Sequence, residues 1–368
     1  MTGTRTFNQT MRSEQTPVVL LTGGAGFIGA LTANRLIDAG YRVRILDILL
    51  ELIHPTRSRP SHLQPEVELL LGDICDAEIV RCALEGVTHV YHLAALTATG
   101  QSMTLALAYF HTNVTGTATL WKEIHSRGEQ IKKVILASSR AVYGEGEYLC
   151  ANCGVVYPPS RSVAKLQARE WWVYCPLCGR RASPMPTSED APLQPASVYG
   201  LTKQMQEEIS QFMSTQLNIP LVILRYFNVY GAHQAASNPY TGVLIHFLSQ
   251  LRRGEPAILF EEGHPRRDFV HVDDIVDANL AALTLANHDN IVILNVGSGR
   301  AVSLAEVATK LAEQLGQVNA VYSTAHFRQG DIFCGLADLE RLKNILGFQP
   351  SISIEEGLFR LVTETAAL

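Results

Sequence analysis

Pro17-Val-Val-Leu-Leu-Thr-Gly-Gly-Ala-Gly-Phe-Ile-Gly29 decides the fold. The apolar run to Thr22 reads as a strand that opens directly into a glycine-rich turn. Helical periodicity follows from Phe27 to Ala39 and stops at Gly40. Tyr41 to Asp47 then reads as a second strand, completing a βαβ unit. Gly23 and Gly26 let the backbone turn tightly and approach a pyrophosphate. Gly29 lets the helix pack close, and the helix N-terminus supplies partial positive charge. Asp47, eighteen residues beyond Gly29, would accept from both hydroxyls of a ribose and repel a 2′-phosphate, which favours NAD over NADP. The plain alternative is a glycine turn without a ligand. Asp73, after the third strand, is either a strand-end cap or a partner for the adenine amino group.

The alternation continues outward. Strands are expected at 67–71, 89–93, 133–138 and 221–225, with helices at 77–84, 103–127 and 198–217. This rhythm gives an α/β fold, a Rossmann-type doubly wound parallel sheet. Residues 1–16 read as a disordered tail and 17–230 as the NAD-binding domain. Residues 231–368 read mainly as a smaller C-terminal substrate domain, with helices near 243–253, 274–286, 304–315 and 339–346. A strand at 291–296, within a segment at 290–317, is expected to return to the large sheet.

A chain of 368 residues supports one large or two closely joined domains. Its net charge of −5 and lack of a basic run give no reason to expect nucleic acid. No stretch reaches the roughly 18 apolar residues of a membrane helix, and no apolar leader follows the polar start. A cytoplasmic, reducing location is therefore expected.

Ser139 closes the 133–138 strand, and Tyr199 and Lys203 lie one helical turn apart on a shared face. A free tyrosine titrates near 10, so a nearby ammonium is needed to favour the phenolate. Such a set can take a proton from a substrate hydroxyl, with Ser139 orienting the reacting oxygen. Tyr-x-x-x-Lys alone would more often be a surface pair; the Rossmann-type opening and the strand-end serine change that balance.

Between Ser139 and Tyr199 lies a segment this chemistry does not need. Cys150-Ala-Asn-Cys153-Gly and Cys175-Pro-Leu-Cys178-Gly read as a four-cysteine metal site, an inserted zinc-ribbon-like module over 146–185. Four thiolates leave no open position, so the zinc (Zn2+) is expected to be structural. A rubredoxin-like iron site and disulfides are the alternatives, and a reducing compartment disfavours the latter. Arg161, Lys165, Arg169, Arg180 and Arg181 make the module basic, so a recognition role is a rival to a lid or an oligomer contact. Cys75, Cys82 and Cys334 are read as buried small residues.

From Pro17 onward the chain resembles the extended short-chain dehydrogenase/reductases, and within them nucleotide-sugar epimerases of the UDP-galactose 4-epimerase type. TGGAGFIG at 22–29, GDI at 72–74, HLAA at 92–95, SSRAVYG at 138–144, YGLTK at 199–203, LRYFNVYG at 224–231, RDFVHVDD at 267–274 and RQGD at 328–331 carry the resemblance. It implies NAD contacts from Gly23, Gly26, Phe27, Ile28, Gly29, Asp47, Asp73, Ile74, Leu93, Ala94, Ala95, Asn113, Ser138, Tyr199, Lys203 and Tyr226. It places Thr97, Ser139, Asn228, Arg267, Arg328 and Asp331 against the sugar nucleotide, with the two arginines gripping its diphosphate. A homodimer built from the helices near 103–127 and 198–217 is also implied.

Enzymes of this type begin by moving hydride from C4 to NAD, giving a 4-keto sugar. Dehydratases and decarboxylating relatives carry carboxylates just after the serine, whereas this chain has Arg140 and Ala141. Epimerisation at C4 of a dTDP- or UDP-hexose is therefore expected, with tightly held NAD regenerated each cycle. The ALTATGQS segment, the loop at 237–243 and the two cysteine knuckles are similar to those of dTDP-L-rhamnose 4-epimerases, whose product is dTDP-6-deoxy-L-talose. An NAD-dependent NDP-4-keto-sugar reductase, a 4,6-dehydratase and a non-catalytic NAD-sensing, zinc-mediated binding protein are the competing readings.

Overall fold

The computed structural model describes residues 17–234, 242–286 and 290–365. The 1–16 tail and residues 237–241 of the 237–243 loop lie outside the described residues.

Seven parallel strands form the main sheet: β1 (Val18–Thr22), β2 (Arg42–Asp47), β3 (Glu68–Leu71), β4 (Val87–His92), β5 (Lys133–Ser139), β6 (Leu221–Tyr226) and β7 (Ile291–Val296). Their spatial order is β7-β6-β5-β4-β1-β2-β3. The order reverses beside β1, which opens a crevice at the C-terminal ends of β1 and β4. Strands buried on both faces need apolar residues at every position, and β1 is buried along its whole length. Val19 and Leu21 face one apolar cluster with Ala30, Ala33 and Leu36 of the first helix. Leu20 faces the other, with Val80, Leu120 and Trp121. Each such fully buried leucine contributes about 1.5–3 kcal/mol.

The expected helix over 103–127 is not continuous. Short helices at Thr99–Ser102 and Ala106–Tyr109 lead into a π-helical turn, Phe110–Thr115, before a regular helix at Gly116–His125. The wider π turn carries Asn113, whose amide clasps both the N–H and the carbonyl of Leu96. That local tie between two sequence-distant segments competes with helix regularity.

Beyond Phe227 the chain builds a second lobe. Asn228–Tyr230 pairs in parallel with Arg266–His271, which also pairs with Ala301–Ser303 and Cys334–Gly335. Of the 290–317 segment, β7 pairs with β6. The Leu304–Gln314 helix instead packs with the Val243–Arg252 and Ile354–Glu364 helices in the core of the second lobe.

Inside the insertion, Tyr148–Cys150 pairs antiparallel with Gly154–Val156 and with Ser183–Pro184. Its small core of Tyr148, Val156, Val173 and Ala182 is completed by Phe333 and Cys334 of the second lobe. Cys334 is buried as expected, but Cys75 is half-buried and Cys82 is exposed on its helix. Arg161 is likewise no surface cation: its guanidinium is buried against Glu145 and Glu261. Among the described residues no helix is long and apolar enough to cross a membrane.

Candidate active site

Ser139 ends β5, its hydroxyl accepting from the Ala141 N–H at 3.2 Å. Tyr199 lies in the first turn of the Val198–Leu217 helix, which Ser197 caps by accepting from the Gly200 N–H at 3.1 Å. A Cβ on Gly200 would stand 2.5 Å from the Ala141 carbonyl oxygen. Glycine there lets the helix meet the Arg140–Tyr143 turn and brings Tyr199 beside Ser139. One turn on, buried Lys203 donates from Nζ to the Ala137 carbonyl at 2.8 Å. Burial pushes this ammonium down to about 7, while Glu207 pulls it back up. Burial raises the Tyr199 phenol, whereas the Ser139 hydroxyl and the Arg140 charge pull it down. These opposing influences suit a group that must change protonation during a reaction.

The three side chains line the floor of a cavity of about 690 Å³, within the range of cofactor sites. At its other end are Gly23, Gly26, Phe27, Ile28, Gly29 and Asp47, with Asp73, Ile74, Leu93, Ala94 and Ala95 along its wall. Gly23 adopts φ +68°, and a Cβ there would sit 2.6 Å from Ala94 Cα. This close approach of the two loops is the cradle that a dinucleotide pyrophosphate needs. Asp47 is held at the mouth by the N–H groups of Ala25 and Leu49, at 3.0 and 2.9 Å. Asp73 accepts from the Cys75 N–H at 2.9 Å while still lining the cavity. Thr97, Ser138, Tyr226 and Asn228 line it too. The Tyr226 hydroxyl donates to Asn279 at 2.6 Å, and the Ser138 hydroxyl donates to Glu207.

Asn113 does not reach this cavity. It is fully buried behind the wall, bonded to Leu96 and Thr202. It can therefore shape the 93–97 loop but not touch a ligand directly.

A second chamber of about 180 Å³ adjoins the first and is lined by Ser139, Arg140, Tyr199, Asn228, Arg267 and Asp331, among others. Arg267 donates to Asp331 at 2.6 Å. The Asn228 side-chain oxygen is buried with no hydrogen-bond partner among the described residues, an acceptor available to a bound molecule. Arg328 is not in either lining; it is exposed and its guanidinium stands 5.2 Å from the Phe260 ring. The guanidinium that joins Arg267 in the chamber is that of Arg140.

Two further groups escaped the sequence reading. Arg225, inside an otherwise apolar strand, bonds Glu207 through Nε at 3.0 Å and a terminal nitrogen at 2.7 Å. A charge in such a strand must be paired, and Glu207 follows Lys203 by one turn, so the signal was present. His54, His62 and His233 line the Asp47 end of the larger cavity, and the last two rings stack at 4.2 Å. Burial, with His233 and His54 nearby, pushes His62 down to about 4. No motif marks these histidines.

In the insertion, the Sγ atoms of Cys150, Cys153, Cys175 and Cys178 lie within 4.8 Å of one another. A tetrahedral zinc site with bonds near 2.3 Å places its sulfurs about 3.8 Å apart, so the four thiols fit such an ion.

A family model described as NAD dependent epimerase/dehydratase family matches residues 19–164 and 175–297. The break falls within the cysteine insertion. A dTDP-L-rhamnose 4-epimerase of Burkholderia thailandensis is 37% identical over 351 residues, covering 94% of each chain. The UDP-glucose 4-epimerase of Thermotoga maritima, solved with UDP-glucose, has a TM-score of 0.77 at 28% identity, covering 94% of this chain and 97% of its own. The Thermus thermophilus UDP-glucose 4-epimerase, solved as a complex with NAD, has a TM-score of 0.73 at 26% identity over the same shares. With the glycine cradle, the Ser139–Tyr199–Lys203 floor and these matches along most of its length, the chain belongs to the NAD dependent epimerase/dehydratase family.

Proposed function

We propose that the protein inverts C4 of a nucleotide-diphosphate hexose through a transient 4-keto sugar, and that its substrate is dTDP-L-rhamnose, giving dTDP-6-deoxy-L-talose. The observation that carries this reading is that Ser139 and Tyr199 line both cavities, with Lys203 one helical turn beyond Tyr199 in the larger one. The larger cavity fits NAD, which when bound supplies a hydride acceptor that can return what it takes. Asp47 would hold the adenosine ribose and Lys203 the nicotinamide ribose, while Tyr199 takes the proton from the C4 hydroxyl and Ser139 orients that oxygen. Asn228 and Arg267 would hold the sugar nucleotide in the smaller chamber. The chamber's carboxylate, Asp331, is engaged by Arg267, and Arg140-Ala141 stands where dehydratases carry acids, so elimination lacks a base. The likeness to the Burkholderia thailandensis protein supports the deoxyhexose.

The four cysteines would hold one structural zinc, which pins the insertion against the second lobe. Exposed Met103, Leu105, Leu107 and Phe212, on the two segments expected to pair, support a homodimer.

Incubation with dTDP-L-rhamnose and with UDP-, GDP- and CDP-hexoses in deuterated water, followed by NMR, tests the reaction. Reversible C4 inversion without net redox is expected. Steady release of reduced cofactor, or deuterium at C5 or C6, would sink the reading.

A further inference from the structure

Arg267 lines the smaller chamber, and three acceptors hold its guanidinium. It donates to the Arg266 carbonyl at 2.9 Å, to the Phe333 carbonyl at 3.4 Å and to the Asp331 carboxylate at 2.6 Å. Two of these acceptors belong to the segment 331–333, so that short stretch of backbone sets where the guanidinium stands. A guanidinium held in advance loses less freedom on meeting an anion than a free one does.

The segment is held in turn by the chain at and around the cysteine insertion. Arg161, inside the insertion, donates to the Asp331 carbonyl at 3.0 Å. Glu145, which leads into the insertion, accepts from the Phe333 N–H at 3.0 Å. These two clamping residues meet each other at 3.3 Å. The remaining N–H groups of Arg161 go to the Trp171 carbonyl at 3.0 Å and to both carboxylate oxygens of Glu261. All five donors of its planar fork are therefore engaged, a set that the three donors of a lysine could not reproduce. Arg161 itself lines neither cavity.

We infer that Arg161 is a positioning residue for the bound sugar nucleotide: through Asp331, it fixes the guanidinium of Arg267 that meets the substrate's anionic group. This rests on the proposed reading of the smaller chamber as the sugar-nucleotide site, and it ties the inserted module to substrate affinity.

The test is calorimetric titration of the NAD-loaded protein with dTDP and with UDP, beside KM and kcat for dTDP-L-rhamnose. Arg161→Met should weaken nucleotide binding about tenfold, the scale of one lost charged hydrogen bond. KM should rise by the same factor while kcat stays within about twofold, because a grip on the nucleotide end acts on ground and transition states alike. Glu261→Gln keeps an acceptor for Arg161 and leaves its bond to Asp331, so its affinity should stay near the parent's. Retained NAD shows that a variant is folded. Should Arg161→Met not fold, its combination with Glu145→Gln and Glu261→Gln removes the stranded charges and makes the same prediction. Unchanged nucleotide binding in a folded Arg161 variant, or an equal loss in Glu261→Gln, overturns the inference and leaves the epimerase reading standing. A parent that binds neither nucleotide overturns both. A parent that binds one of them but leaves dTDP-L-rhamnose unchanged loses only the substrate assignment, and the binding comparison still decides the role of Arg161.

Discussion

Arg161 of the cysteine insertion grips Glu261 of the second lobe through both terminal nitrogens, the longer contact being 3.2 Å. Both side chains are almost wholly buried. Arg161 also donates to the Asp331 carbonyl at 3.0 Å, and the Asp331 carboxylate holds Arg267. The insertion is thus joined by buried charge to a wall of the smaller chamber. Removing Arg161 leaves both Glu261 and Glu145 buried without their cation, which costs about 3–5 kcal/mol. Arg161→Met should lower the urea midpoint accordingly, and Arg161→Met combined with Glu145→Gln and Glu261→Gln should lose less than the single change. Equal losses would mean the pair itself, not the stranded charge, carries the stability.

Tyr199→Phe removes one oxygen and leaves the ring's place in the first helical turn. Turnover should fall by at least the roughly 10²–10⁴-fold typical of a lost general base, with NAD content unchanged after purification. Near-parental turnover would take the base role from Tyr199.

Lys203 gives stability a sign that can be checked. Burial lowers its folded-state value to about 7, below an unfolded value of about 10.4. Between these limits the unfolded chain binds more protons, so this group's contribution is greatest above about 10.4 and is lost as pH falls toward about 7. The urea midpoint of the parent, measured against Lys203→Met, should therefore rise from pH 7 to 10. A flat or falling difference would show that the ammonium stays charged in the fold.

Local periodicity made most of the sheet legible, because β1, β5 and β6 are nearly all-apolar runs and Gly40 marks a helix end. The glycine turn and the Tyr199–Lys203 spacing located the two halves of the site for the same reason: both are short-range patterns. What escaped depended on long-range placement. Asn113 turns inward because Leu96, seventeen positions away, completes its amide bonds, and the helix around it yields a π turn. Arg328 in a loop and Arg140 at the start of a short 3-10 turn are both single arginines, and nothing local says which one enters the chamber. Arg161 looked like one of several surface cations until Glu261, a hundred residues on, was brought to it.

The cysteine cluster gives the last expectation. Gly154 and Gly179 follow the two knuckles with φ of +75° and +71°, folding each pair of thiols back on itself. Without an ion, the knuckles rest on a small core shared with Phe333 and Cys334, and Arg161 ties the module to Glu261. Structural zinc supplies about 10–16 kcal/mol to isolated zinc-binding peptides, far more than that core can replace. Elemental analysis should give one zinc per chain, and Cys175→Ser should abolish it. Chelation should then free four thiols to a thiol reagent and change the near-ultraviolet dichroism of Trp171 and Trp172, while the glycine cradle, which shares no residue with the module, keeps its NAD. Metal-free protein with full activity and an unchanged tryptophan signal would show that packing alone sets the insertion.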